Sequence, residues 1–154
     1  MRLTNNYVNT VISDHKQLIE GYVEWLSEYR WCWFATLTFR EPSISRWRAT
    51  KLCEKWIGEL HKADGAEDFH WFRTMELGAN RDHLHFHVLI GGLNNGSKWP
   101  WVLRWNEIAG DCLISYAPSG RAIDYLLKEF RPDSSDECHC DFLLQPRQRA
   151  RRLR

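Results

Sequence analysis

Apolar residues recur at helical spacing in some stretches of the chain and alternate with polar ones in others, and the changes of period divide it into elements. Ser13 is placed to cap a helix to about Arg30, with Ile12, Ile19, Tyr22, Val23, Leu26 and Tyr29 on one side. Trp31 to Phe39 has no Gly or Pro and is rich in aromatic and Thr residues, so it predicts a strand. Ser43 or Ser45 opens a second helix to about Lys62. Its Cys53, Trp56, Ile57 and Leu60 follow the i, i+3, i+4, i+7 rule, and Asp64-Gly65 ends it.

Phe69 to Leu77 alternates again: Phe69, Trp71, Arg73 and Met75 on one face, His70, Phe72, Thr74 and Glu76 on the other. Gly78-Ala79-Asn80-Arg81 makes a turn, and Asp82 to Ile90 returns as the second arm of a hairpin. After a loop over Gly91–Gly96, Pro100 starts a helix to about Ala109. Cys112 to Tyr116 reads as a fourth strand. Pro118-Ser119-Gly120 leads into a helix ending at Phe130, where Arg131-Pro132 stops it. No internal repeat interrupts this order. Without the first helix it is β-α-β-β-α-β, which predicts an α+β, ferredoxin-like split βαββαβ fold. Helices lie on one face of an antiparallel sheet and the other face stays open.

Composition adds limits. The chain has 154 residues and a formal net charge of +1, enough for one domain with a real core and too short for an added motor module. Charged residues at 27% and hydrophobic ones at 44% exclude wholesale disorder. No apolar run approaches the length of a membrane span. Met1–Thr10 lacks a signal-peptide pattern, so a cytoplasmic location is expected, or the host nucleus for a eukaryotic virus. The five Cys are odd in number and read as small buried hydrophobes. Cys138-His139-Cys140 resembles half a zinc site without its second half.

The run Asp82-His83-Leu84-His85-Phe86-His87-Val88 carries the most specific chemistry. On a strand, His83, His85 and His87 share one side, while Leu84, Phe86, Val88 and Ile90 take the core side. Imidazoles at i and i+2 can converge on one metal ion; the alternative is a solvated strand face that uses His. A hairpin turning near Asn80 brings Glu76 opposite His85 on the matching face. Glu76, His85 and His87 then form a two-imidazole, one-carboxylate set with open coordination positions, and His83 is a possible further ligand. In the last helix, Tyr125 and Lys128 are three apart on one face, while Ile123, Leu126, Leu127 and Phe130 form the apolar stripe. They are candidates for a nucleophile and a charge-stabilising cation, or for a half-buried Tyr beside a snorkelling Lys.

Three stretches in this order resemble the HUH endonucleases, specifically rolling-circle replication initiators with a single catalytic Tyr. Phe34-Ala35-Thr36-Leu37-Thr38-Phe39 resembles their first motif, His85-Phe86-His87 their His-hydrophobe-His motif, and Tyr125-Leu126-Leu127-Lys128 their Tyr-x-x-Lys motif. The resemblance implies that residues 1–132 form the endonuclease domain, with a core over 31–130 and an added N-terminal helix. Residues 133–154 then form a polar, Arg-rich tail. It implies Mg²⁺ or Mn²⁺ on His85 and His87, with Glu76 carried over by position. Tyr125 would attack single-stranded DNA at a replication origin to leave a 5′-phosphotyrosine, and Lys128 would stabilise charge. Implied partners are a separate helicase and host replication proteins, with no membrane. Rival uses of the same motifs are single-strand transposition and conjugative relaxation. A non-catalytic RNA- or ssDNA-binding domain and a structural zinc protein are rivals of another class.

Candidate DNA contacts are Trp99 and Trp101, which could stack bases, Arg81 in the hairpin turn, and Arg147, Arg149, Arg151, Arg152 and Arg154 at the end. Without those five tail arginines, residues 1–146 hold 16 cations against 20 acids, so the near-neutral total averages an acidic body and a basic end. Gly91–Lys98 approximates a phosphate-binding loop, but Ser97 and Lys98 stand in the wrong order. Tyr116 reads as structural.

Overall fold

In the computed structural model, residues 4–77, 83–116, 120–128 and 140–143 are described. The elements are α1 (Thr4–Ser27), β1 (Trp33–Thr38), α2 (Arg46–Asp64), β2 (His70–Leu77), β3 (Leu84–Gly91), α3 (Trp99–Ile108), β4 (Cys112–Tyr116), α4 (Gly120–Leu127) and β5 (Cys140–Leu143). The strands form one sheet in the order β4-β1-β3-β2-β5, and every neighbouring pair is antiparallel. The fold is α+β, with four helices against a five-stranded sheet. None of the described helices is long and apolar enough to cross a membrane.

Local chemistry explains most boundaries. Ser45, in extended backbone, accepts a hydrogen bond on its hydroxyl from the Arg48 N–H and caps α2. Gly65 closes it at φ 65°, in the left-handed region, with its N–H bonded to the His61 carbonyl. Pro100 stands in the first turn of α3, where a missing N–H is harmless. β1 alternates between fully and partly buried residues.

On one face of the sheet, Trp33, Ala35 and Leu37 of β1, Phe86, Val88 and Ile90 of β3 and Ile114 of β4 pack with Ala49, Cys53, Trp56, Ile57 and Leu60 of α2 and Trp105 of α3. The buried indole N–H groups of Trp56 and Trp105 donate to the carbonyls of Trp101 and Thr38, each at 2.9 Å, so these rings enter the core without an unpaired donor. Cys53 is buried and Cys32 and Cys112 partly so, all as free thiols.

Three expectations need correction. The first helix starts at Thr4, so Ser13 lies within it rather than capping it, and it ends at Ser27 rather than Arg30. No Gly or Pro precedes Gly21, so nothing local stops the helix from extending upstream. Second, helices cover both faces. Leu26 of α1 and Ile123, Leu126 and Leu127 of α4 bury Phe72 and Leu89, with Ile19, Tyr22, Val23, Trp25 and Phe34 around them. These sheet residues share the parity of Glu76 and His85, so α1 and α4 cover part of the face expected to stay open. Its even-numbered β1 and β2 positions are apolar at the Phe34 and Phe72 end, which accounts for the cover. Third, Cys140–Leu143, inside the span read as tail, pairs with β2 from Trp71 to Thr74 and extends the sheet. The predicted helix ends at Ser119 and Phe130 fall outside the described residues, as do Cys138 and His139.

Candidate functional site

The hairpin register places Glu76 directly across from His85 and Thr74 across from His87; on the other side of β3, Thr38 faces His85 and Thr36 faces His87. All six side chains therefore leave the sheet on one face. The Glu76 carboxylate reaches diagonally between the imidazoles: its Oε2 lies 3.3 Å from His85 Nε2 and 2.9 Å from His87 Nε2. One potential ligand atom from each of Glu76, His85 and His87 falls within 4.8 Å of the others. Two nitrogens and a carboxylate oxygen this close together fit one divalent cation, and they suit several such ions rather than a single one.

His87 is held from behind. His87 is 2% exposed, its ring stacked on Phe34 at 5.5 Å, with Nδ1 3.2 Å from the Thr36 hydroxyl. That contact works in either tautomer. With the proton on Nε2, His87 donates to Glu76 and accepts from Thr36. With the proton on Nδ1, it donates to Thr36 and Nε2 is free to bind a metal. Burial lowers the pKa of His87 below its ordinary 6.5. The neighbouring His85 and Lys128 act in the same direction, against the Glu76 hydrogen bond. His87 is thus held neutral, the form that can ligate a metal.

Tyr125 reaches the same spot from α4. Ile123, Leu126 and Leu127 bury one side of that short helix against α1 and the sheet, which leaves Tyr125 on its flank, 48% exposed. The Tyr125 ring meets His87 edge-on with centroids 5.4 Å apart and lies 6.3 Å from Phe34. Lys128 Nζ sits 4.3 Å from the centre of the Tyr125 ring. The buried Thr74 hydroxyl donates to the Leu126 carbonyl at 3.4 Å, tying the end of α4 to β2 one residue from the tyrosine. Phe34, Thr36 and Thr74 are supporting residues, none of them among the candidates that the sequence pattern singles out. Strand parity alone puts them on the His87 face, a signal already present in the sequence.

Other candidates lie elsewhere. His83 is exposed, just before β3, and outside the converging set. Trp99 and Trp101 belong to α3, whose start lies near Tyr116: the Lys98 N–H donates to the Tyr116 hydroxyl at 3.3 Å and Lys98 Nζ to the Ile114 carbonyl. Tyr116 pairs with Trp33, at the opposite end of β1 from Thr38 and His85. Trp101 packs against the α2 core, and Trp99 is exposed at that distant end, so neither contacts the histidines. Arg81, Arg147, Arg149, Arg151, Arg152 and Arg154 fall outside the described residues. In the loop that imitates a phosphate cradle, the N–H groups of Asn94 and Asn95 both bond to the Asp64 carboxylate at 2.8 Å, so an acid already fills the place of a phosphate. Burial pushes the Cys112 thiol up to about 12, with Lys98 opposing, which removes it as a nucleophile at neutral pH.

A scan against protein-family models finds no match to this chain, and a search of curated proteins finds none either.

Proposed function

We propose that this protein is a metal-dependent HUH-type nickase and strand-transferase of single-stranded DNA, used to initiate rolling-circle replication. The observation that carries this is the meeting of Tyr125 with the Glu76–His85–His87 group, a phenol edge-on to one of two imidazoles that share a carboxylate. The strand order β4-β1-β3-β2, antiparallel throughout, supports a split βαβ layout extended at one edge by β5. A non-catalytic base-binding sheet favours aromatic residues at the central positions, where this chain has His85 and His87.

Glu76, His85 and His87 would hold Mg²⁺ or Mn²⁺, which when bound polarises the scissile phosphate and offsets its charge. Tyr125 is half exposed, which gives an unpaired strand access to it. Attack forms an Oη–P bond and breaks the P–O3′ bond. The phenolic proton is released and the departing 3′-oxygen takes up a proton. The products are a 5′-phosphotyrosine and a free 3′-OH. The phosphodiester energy is conserved, so a later 3′-OH can reverse the step and reseal without ATP. Lys128, close above the ring, favours the developing phenolate and the phosphate charge.

Incubation with a pool of single-stranded oligonucleotides and Mn²⁺ tests this. The expected result is a protein–DNA adduct that survives denaturant and is absent from Tyr125→Phe, which keeps its fold because Tyr125 is half exposed. Equal adduct in wild type and Tyr125→Phe would remove Tyr125 as the nucleophile. No adduct across the pool would overturn the reaction itself.

A further inference from the structure

The end of β1 at which Thr38 pairs with His85 runs on into a basic rim. Arg40 follows two residues later, about 7 Å along an extended chain. Its N–H donates to the Ala109 carbonyl at 2.9 Å and its guanidinium to the Asn106 carbonyl, so the loop is fastened to the end of α3. The chain then enters α2, whose first turn exposes Arg46, Trp47 and Arg48. Trp47 is 73% exposed, the largest value for any large hydrophobic side chain among the described residues. The helix already packs through Ala49, Cys53, Trp56, Ile57 and Leu60, so this indole adds nothing to the core.

The neighbouring Arg48 lines a cavity of about 260 Å³ between the loop, α2 and the end of α3. Ile44, Leu52, Ile108 and Ala109 give it apolar walls, and Arg40, Glu41 and Arg48 line the rest. Arg48 bonds Glu41 at 2.8 Å with both side chains well exposed, a pairing that water weakens and a phosphate can displace. Arg40, Arg46 and Arg48 stand here against Glu41 and, beside Thr38, Asp111, in a body that is acidic as a whole.

An exposed indole among guanidinium groups, next to an apolar hollow, is the chemistry that holds unpaired nucleotides: bases stack on the ring while cations follow the backbone. We propose that this rim is a second contact for the substrate strand. Trp47 stacks one base, and Arg40, Arg46 and Arg48 hold phosphates a few nucleotides from the bond cut at Tyr125. This rests on single-stranded DNA being the substrate. The rim lies at the same end of the sheet as the histidines but on the α2 face, opposite theirs, so a strand that touches both passes over that end.

The test uses the full chain in metal-free, low-salt buffer with fluorescein-labelled oligothymidine of about twenty nucleotides, so that binding is read without cleavage. Trp47→Ala is expected to weaken Kd roughly 5- to 100-fold and to remove part of the tryptophan quenching on binding. Trp47→Phe should restore most of the affinity. The double variant Arg40→Gln with Arg48→Gln should flatten the dependence of log K on log salt by roughly one unit. Circular dichroism checks that each variant is folded. If Trp47→Ala binds and quenches as wild type does, the rim is not a contact. The oligonucleotide–Mn²⁺ adduct assay separates the two proposals. An adduct from wild type with Trp47→Ala unaltered in binding removes the rim alone. Weakened binding by Trp47→Ala without any wild-type adduct removes the nicking reaction and leaves the rim.

Discussion

The Tyr125 ring stands edge-on to the His87 imidazole, centroids 5.4 Å apart and planes at 79°. The two residues come from α4 and β3, which are not adjacent in sequence. Their meeting depends on how α4 is seated: its apolar side rests on Leu26 of α1 and on Phe72 and Leu89 of the sheet, and its end is tied to Thr74. α1 therefore acts as a buttress for the tyrosine.

Metal affinity should depend on Thr36 although it is not a ligand. Its hydroxyl orients His87 through Nδ1. Thr36→Val keeps the shape and removes that partner, and loss of such a supporting bond typically weakens metal binding 10- to 100-fold. Titration calorimetry with Mn²⁺ should show this range for Thr36→Val and loss of binding for the double variant His85→Ala with His87→Ala. Wild-type affinity in the double variant would show that the ion binds elsewhere.

Acid should destabilise the metal-free protein through His87. Burial holds its pKa below 6.5 in the fold, while the unfolded chain keeps the ordinary value. Between the two values the unfolded state binds more protons, so stability rises with pH in that window. The contribution is complete above 6.5 and is lost as pH falls through the lowered value. Denaturant midpoints measured from pH 7.5 downward should fall in wild type and stay flatter in His87→Asn. Parallel curves for the two proteins would contradict the assignment.

Leu26→Ala tests the buttress. Leu26 is wholly buried under α4, and its truncation should cost about 2–5 kcal/mol. The proposed metal ligands Glu76, His85 and His87 sit on β2 and β3, so Mn²⁺ binding by the folded fraction should persist while adduct formation slows. Adduct formation at the wild-type rate would show that Tyr125 does not rely on α1 for its position.

Gly91→Ala should destabilise for a reason of space. A Cβ at Gly91 would run into His70 Nε2 and the Arg30 carbonyl. The His70 ring is wholly buried, with Nδ1 2.7 Å from the Asp68 carbonyl and Nε2 3.0 Å from that of Arg30, so it cannot swing aside without breaking these contacts. Overpacking of this kind costs about 1–3 kcal/mol, readable as a lower Tm, whereas Gly96→Ala, with open space around the Cβ, should be near neutral.

Much of the site was legible before the structure. Glu76, His85 and His87 follow from a two-residue period and a turn expected near Asn80, and Glu76 is observed paired with His85 as that expectation has it. Thr36, Thr74 and Phe34 were within reach of the same parity. Residue type alone does not sort the nine tryptophans: Trp105 is wholly buried and Trp47 is 73% exposed. The flanking arginines around Trp47 are the distinguishing signal.

By itself the sequence determined the periods, the Ser45 cap and the parities: which residues make the first four strands, which side each faces, where α2 begins and ends. These depend on backbone geometry and on neighbours a few positions away. Only the tertiary structure decided that α1 lies over the histidine face, that Cys140–Leu143 joins β2, and that Trp99 stands at the far end of the sheet from His85. Those outcomes turn on matching apolar surface and unpaired strand edges from distant parts of the chain, and no local pattern encodes which distant partner will supply them.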